Sequence, residues 1–251
     1  MAKQKGPLKV KGSLGDLTFY KSQDGYLVRE KGGIDKQRIA TDPAFQRTRE
    51  NNSEFGRAGT AGQLFRKAFN SLLVNSADNR MTSRLHKLMV KVIQTDVISG
   101  RGKRNVIDGE AELLKDFEFN IRGKLASNFF AAYVGTIDRV TGAIKVSVPS
   151  FVPSSMITAP AGTTHYKIIS GGAEIDFENG SFTIATSASA ALPWGENPTA
   201  VLNQTNQVTA ESTKPLFLVF GVEYYQEVNG TMYPLKNGSY NPLAVIEVSG
   251  M

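Results

Sequence analysis

The sequence predicts an α+β fold: an N-terminal β-meander arm, a central helical region, and a C-terminal antiparallel β-sandwich or jelly-roll-like domain. Apolar and polar residues alternate with a period of two near both ends, and glycine-containing turn dipeptides separate those runs. Between them the apolar period is helical. The implied organisation is a basic hairpin or meander arm over 1–40, a helical region with a basic loop over 41–125, and the sandwich-like domain over 126–251.

In the arm, Leu8, Val10, Leu17 and Phe19 alternate with Lys9, Lys11 and Thr18, as half-buried strands within 7–31 require. Gly12 and Gly15 mark one turn. Ser22-Gln23-Asp24-Gly25 marks another, because Asp and Gly both tolerate the positive φ of tight hairpins. So small a meander is marginal in water, and it is expected to pack on something, a second subunit included.

Residues 41–99 read as helical. Thr41-Asp42-Pro43 offers an N-cap followed by a first-turn proline, whose missing N–H leaves nothing unpaired there. Gly56, Gly59 and Gly62 then recur among Ala58, Ala61, Leu64, Phe65, Ala68, Phe69, Leu72 and Leu73. Each glycine costs a helix about 0.5–1 kcal/mol relative to alanine, so the ladder predicts close backbone approach by a neighbouring helix or strand. A second helix is expected from Ser76 or Asp78, with Met81, Leu85, Leu88, Met89, Val92 and Ile93 as its apolar stripe and Gly100 as its stop.

From about Ala126 the sequence turns to strands, expected at 129–137, 143–148, 165–169, 173–177, 181–186, 216–227, 231–235 and 243–248. Turns fall at 138–142, Asn179-Gly180, Asn229-Gly230 and Asn237-Gly238. Short strands at regular spacing are what predict the sandwich or jelly roll. The polar, small-residue stretch 187–213 around Trp194 reads as a long loop, a length that implies function or packing on a partner.

The residues offer little chemistry. Without cysteine there is no disulfide, thiolate site or Cys nucleophile. His86 and His165 lack a nucleophile motif or a second nearby histidine, so neither a hydrolase triad nor zinc is indicated. Gly56–Gly62 and Gly100–Arg104 lack the phosphate-loop pattern. The carboxylate pairs Glu110/Glu112, Asp116/Glu118 and Glu174/Asp176 stand alone and read as solvated faces. The reading is therefore no catalytic residue, no cofactor, no metal and no small-molecule substrate. The basic N-terminus lacks the apolar core of a secretory signal, and no stretch has the roughly 18–20 apolar residues of a membrane helix. These features predict a cytoplasmic protein, or one in a particle assembled there, with no membrane partner.

Charge is divided along the chain. Residues 1–104 hold 21 Lys+Arg against 9 Asp+Glu, and the rest hold 8 against 14, the two halves summing to the net +6. Opposite-signed regions can bind copies of the chain head to tail, and a basic region can bind nucleic acid. Lys9, Lys11, Lys21, Arg29 and Lys31 interleave with Phe19, Tyr20 and Tyr26, while Arg101, Lys103 and Arg104 form a compact basic loop. Phosphate contacts with ring stacking fit these residues; so do cross-strand packing, an acidic protein surface, and cations placed beyond a helix C-terminus.

The segment from Gly12-Ser-Leu-Gly-Asp-Leu-Thr-Phe-Tyr to Gly33, the block Asp42-Pro-Ala-Phe-Gln-Arg-Thr-Arg-Glu-Asn51 and the late Gly221-Val-Glu-Tyr-Tyr-Gln-Glu-Val-Asn-Gly230 resemble an uncharacterised bacterial protein family of similar length. The resemblance spans the chain and implies no activity.

The expectation is a structural protein, not an enzyme. It self-assembles as a homo-oligomer into a filament, tube, sheath or virion-like shell, with Phe19, Tyr20, Tyr26, Arg29, Gly56, Gly59 and Gly62 as assembly residues. Lys9, Lys11, Lys21, Arg101, Lys103 and Arg104 are the contacts for nucleic acid or an acidic partner. Alternatives are a nucleic-acid-binding structural protein and a sugar- or peptide-binding β-module.

Overall fold

The computed structural model describes residues 2–30 and 32–250, and the chain forms two compact units, 1–50 and 51–251. Lys31 lies outside the described residues.

The first unit is an antiparallel sheet followed by a short helix. Strands β1 (Ala2–Lys3), β2 (Gly12–Leu14), β3 (Leu17–Ser22) and β4 (Gly25–Glu30) lie in the order β1-β4-β3-β2. The β3–β4 hairpin forms where Asp24-Gly25 predicts it, with one difference. Gly25 alone takes a positive φ, +107°, so the turn is closed by a glycine at its last position and not by two left-handed residues. Leu8 and Val10 are not in a strand; Val10 N instead donates to Gln4 Oε1 at 2.9 Å. Helix α1 (Lys36–Thr41) is capped by Asp35, and Asp42 caps the following 3-10 turn Pro43–Phe45 by accepting from Ala44 N at 2.9 Å. Arg49 Nη1 donates to Ile39 O and Asp42 O, fixing that junction.

Helix α2 (Gln46–Ala68) begins at this junction, α3 (Asn70–Leu73) follows, and α4 (Met81–Gln94) carries the expected apolar stripe. Met81, Leu85, Met89, Val92 and Ile93 are buried and Leu88 packs against that core. The helix ends at Gln94, well before Gly100, because Thr95 closes it: its N–H and its hydroxyl both donate to Val92 O. The chain then turns around Asp96, whose carboxylate accepts from the N–H groups of Ile98, Ser99 and Asn105.

The fold is α+β, with the helices in the middle of the chain and antiparallel sheets, one a curled half-barrel, after them. Past α5 (Leu125–Asn128), β5 (Val134–Asp138) and β6 (Ala143–Val148) form a three-stranded sheet with β10 (Leu202–Gln207). Helix α6 (Pro153–Met156) leads to the larger sheet: β7 (His165–Asp176), β8 (Ser181–Ala188), β9 (Leu192–Pro193), β11 (Leu216–Val228), β12 (Thr231–Pro234) and β13 (Leu243–Ser249). The sheets curl together, β10 running beside β8 and β5 beside β13.

Strand alternation assigns the two cores. On β11, Leu216, Leu218, Phe220 and Val222 face inward, where they meet Ile144, Val146, Val148, Ile168 and Ile246. Phe217 and Val219 face outward onto the helices, where Phe69, Phe119 and Phe217 gather around Phe65. A bulge opposite Leu218/Val219 shifts the register and returns Val248 of β13 to the helix side. The segment 116–119 covers the free edge of β13 through bonds between Val245 and both Asp116 and Phe117, and between Phe119 and Leu243.

Two differences from the sequence reading matter. Gly171-Gly172 does not break a strand; β7 runs through it because each glycine admits a neighbour. A Cβ on Gly171 would stand 2.8 Å from Leu72 Cδ1, and one on Gly172 would stand 2.9 Å from Cβ of both Asn206 and Ile144. The stretch 187–213 is not one loop, since it holds the end of β8, all of β9 and all of β10.

Candidate assembly surface

None of the described residues before Asn51 is buried. In the first unit's sheet, pairing sorts the side chains onto two faces. Ala2, Leu14, Leu17, Phe19, Tyr26 and Val28 share one face, with Lys21 and Glu30 at its opposite ends. Leu14 is 73% exposed and Leu17 42%. The other face carries Lys3, Ser13, Thr18, Tyr20, Leu27 and Arg29. The expected aromatic cluster is thus divided: Phe19 and Tyr26 lie on the apolar face, Tyr20 and Arg29 on the polar one. Lys21 Nζ sits 5.7 Å from the Tyr26 ring centre, and the Arg29 guanidinium is at the same distance from Tyr20. Lys9 is occupied locally, donating to Gln4 O and Gly6 O, and Lys11 is exposed.

The glycine ladder and the basic loop belong to the second unit. A Cβ on Gly56 would meet nothing within 4 Å, one on Gly59 would lie 3.7 Å from His86 Nε2, and one on Gly62 would lie 3.8 Å from Met89 Cγ. These are ordinary contacts. The glycines therefore do not admit a close-packed backbone, contrary to the expectation from their spacing; Gly59 and Gly62 face α4, and Gly56 lines an open groove of about 530 Å³ with Arg57, Thr60, Asn105 and Phe177. The loop 100–104 is tied back to α2: Arg57 Nη1 donates to Gly102 O and Arg104 O, Gly102 N donates to Glu54 Oε1 at 2.7 Å, and Arg101 Nη2 donates to Asn51 Oδ1. Lys103 is exposed, and Arg104 Nε is buried without a partner among the described residues.

A second basic groove, of about 510 Å³, was not singled out by the sequence. It lies between α4 and 113–124 and is lined by Arg84, Lys87, Lys91, Lys115 and Lys124, with Asp116 and Glu118 among them, over Leu88, Leu113, Phe117 and Ile121. Arg84 is held by Asp78, and Lys115 by Glu247 at 3.0 Å. The available signal was the four-residue spacing of Lys87 and Lys91 on the polar side of an amphipathic helix.

Three of the carboxylates that read as solvated faces have local partners. Glu118 accepts from Leu125 N and Ala126 N, and burial pushes its carboxyl above the ordinary range despite those bonds. Glu112 accepts from Gly250 N at 2.7 Å. The Asp176 carboxyl is held well below the ordinary range by the N–H of Asn179, then by that residue's side-chain amide and Lys214. His86 Nε2 lies 3.0 Å from Phe55 O and His165 Nε2 lies 3.6 Å from Glu227. Among the described residues no three His, Asp or Glu side chains converge as a metal-holding group, and no helix is long and apolar enough to cross a membrane.

No protein-family model matches the sequence, and no curated protein does. One solved chain, from a study of pH-induced modulation of Streptococcus parasanguinis adhesion by Fap1 fimbriae, aligns with 49% of this chain and 82% of its own at 16% identity. Its TM-score is 0.25, a likeness that carries no argument.

Proposed function

We propose that this protein is a non-catalytic structural subunit that self-assembles, with its first unit as the main contact. One observation carries the reading: a folded four-stranded sheet with an apolar face, in a unit where no described residue is buried. Hydrophobic burial is the dominant favourable term in folding, and a small sheet whose apolar side chains stay exposed gains stability when that face is covered. A partner that covers it supplies what the unit lacks. The test is sedimentation and negative-stain imaging of the purified full chain over a wide concentration range. Concentration-dependent self-association, from dimers upward, supports the proposal, and a strict monomer at high concentration overturns it.

A second reading, nucleic-acid-binding structural protein, is favoured by Lys87, Lys91 and Lys124, which make no ion pair among the described residues. Loss of self-association on nuclease treatment would move the conclusion there. Asp116 and Glu118, which line the same groove, weigh against it, since carboxylates repel the phosphate backbone.

A further inference from the structure

We propose that the apolar face of the first unit's sheet is a two-fold, self-complementary interface, occupied by the same face of a second copy; this rests on the assembly reading above. The available geometry is a face and not an edge. The edge strands β1 and β2 have only two and three residues, too short to template an added strand. By contrast, Ala2, Val28, Phe19 and Gly12 form a continuous row across all four strands, with Leu14, Leu17 and Tyr26 beside it on the same side. Sheets with such faces pack in pairs about 10 Å apart.

Charge selects the occupant and its orientation. Lys21 pairs with Tyr26 at one end of the β3–β4 ladder, and Glu30 pairs with Leu17 at the other. They are four ladder positions apart, about 13 Å, too far to pair within one copy. A two-fold axis between the faces and perpendicular to the strands reverses the ladder, bringing Lys21 of each copy to the Glu30 end of the other. An axis parallel to the strands would instead stack the Lys21 ends on each other. The face is therefore complementary to itself in one arrangement, as an isologous contact demands. It is also small. Four strands about 4.8 Å apart and at most six residues long span roughly 15 Å by 20 Å, below the ~800 Å² per partner of a stable complex. The contact is accordingly reversible and concentration-dependent.

The experiment is a charge exchange in the full chain, read by analytical ultracentrifugation with circular dichroism as the check on folding. Lys21→Glu and Glu30→Lys each create like-charge pairs across the interface, and each should weaken self-association about tenfold at low salt. The two single variants mixed in equal amounts should associate as the parent does, because each supplies the charge the other lacks, and the double variant should recover as well. Leu17→Lys should abolish the contact in every combination. If the parent associates but the single variants match it, or the mixture fails to recover, the two-fold face is wrong while the assembly reading stands. A parent that is monomeric throughout overturns both.

Discussion

A methyl group added at Gly59 would lie 3.7 Å from His86 Nε2, whereas one added at Gly172 would lie 2.9 Å from two Cβ atoms that cannot move independently of their strands. The same substitution therefore has opposite signs at the two sites. Gly59→Ala should stabilise the protein by about 0.5–1 kcal/mol through helix propensity, and Gly172→Ala should destabilise it by about 1–3 kcal/mol through overpacking, both measured by denaturant unfolding. The spacing of Gly56, Gly59 and Gly62 was visible in the sequence, but the separation of the elements they face was not, and that separation sets the sign. Asp176 supplies a pH test. Its folded-state carboxyl titrates below the unfolded value of 3.8, so its contribution is fully present above that value and is lost as pH falls through the folded one. Asp176→Asn should cost roughly 1–2 kcal/mol at neutral pH, with the difference from the parent shrinking below about pH 4 in thermal melts.

At the scale of elements, neither core contains a residue from the first unit. Deleting residues 1–31 should therefore leave the second unit folded, with a cooperative melt and β-rich circular dichroism, while self-association disappears from sedimentation. Full-size assemblies from the truncated chain would show that the sheet is dispensable. The strands legible in the sequence were those whose buried side chains are apolar, such as β6, where Ala143, Ile144, Val146 and Val148 are buried, and β13, where Leu243–Ile246 and Val248 are. Strand β10 was not legible. Its buried residues are Gln204 and Asn206, whose side-chain N–H groups donate to Ile168 O and Ser170 Oγ, so hydrophobic alternation is absent although the strand geometry is intact. The bounds of α4 failed for a related reason, because the helix is closed by Thr95 and Asp96 and not by the glycine that composition favours.

For the whole molecule, the division of charge along the sequence suggests head-to-tail attraction, yet the structure commits many of the later carboxylates locally. Asp138 bonds Thr141, Asp176 and Glu247 pair with Lys214 and Lys115, and Glu223 accepts from Asn75 and Tyr225. Those groups are less available to a neighbour than a count of charges implies, whereas the exposed Leu14 and Leu17 face gains from burial regardless of ionic strength. The two sources of attraction respond differently to solvent. Raising salt from about 0.1 M to about 1 M shortens the Debye length from about 10 Å to about 3 Å, which would dismantle an assembly held by complementary charged regions. An assembly held by the apolar face should weaken only a few-fold, losing the part carried by Lys21 and Glu30, and should weaken further on cooling because hydrophobic burial is entropy-driven near room temperature. Light scattering across salt and temperature separates the cases. Collapse of the signal in high salt with no response to cooling would show that charge carries the assembly and that the first unit's apolar face does not.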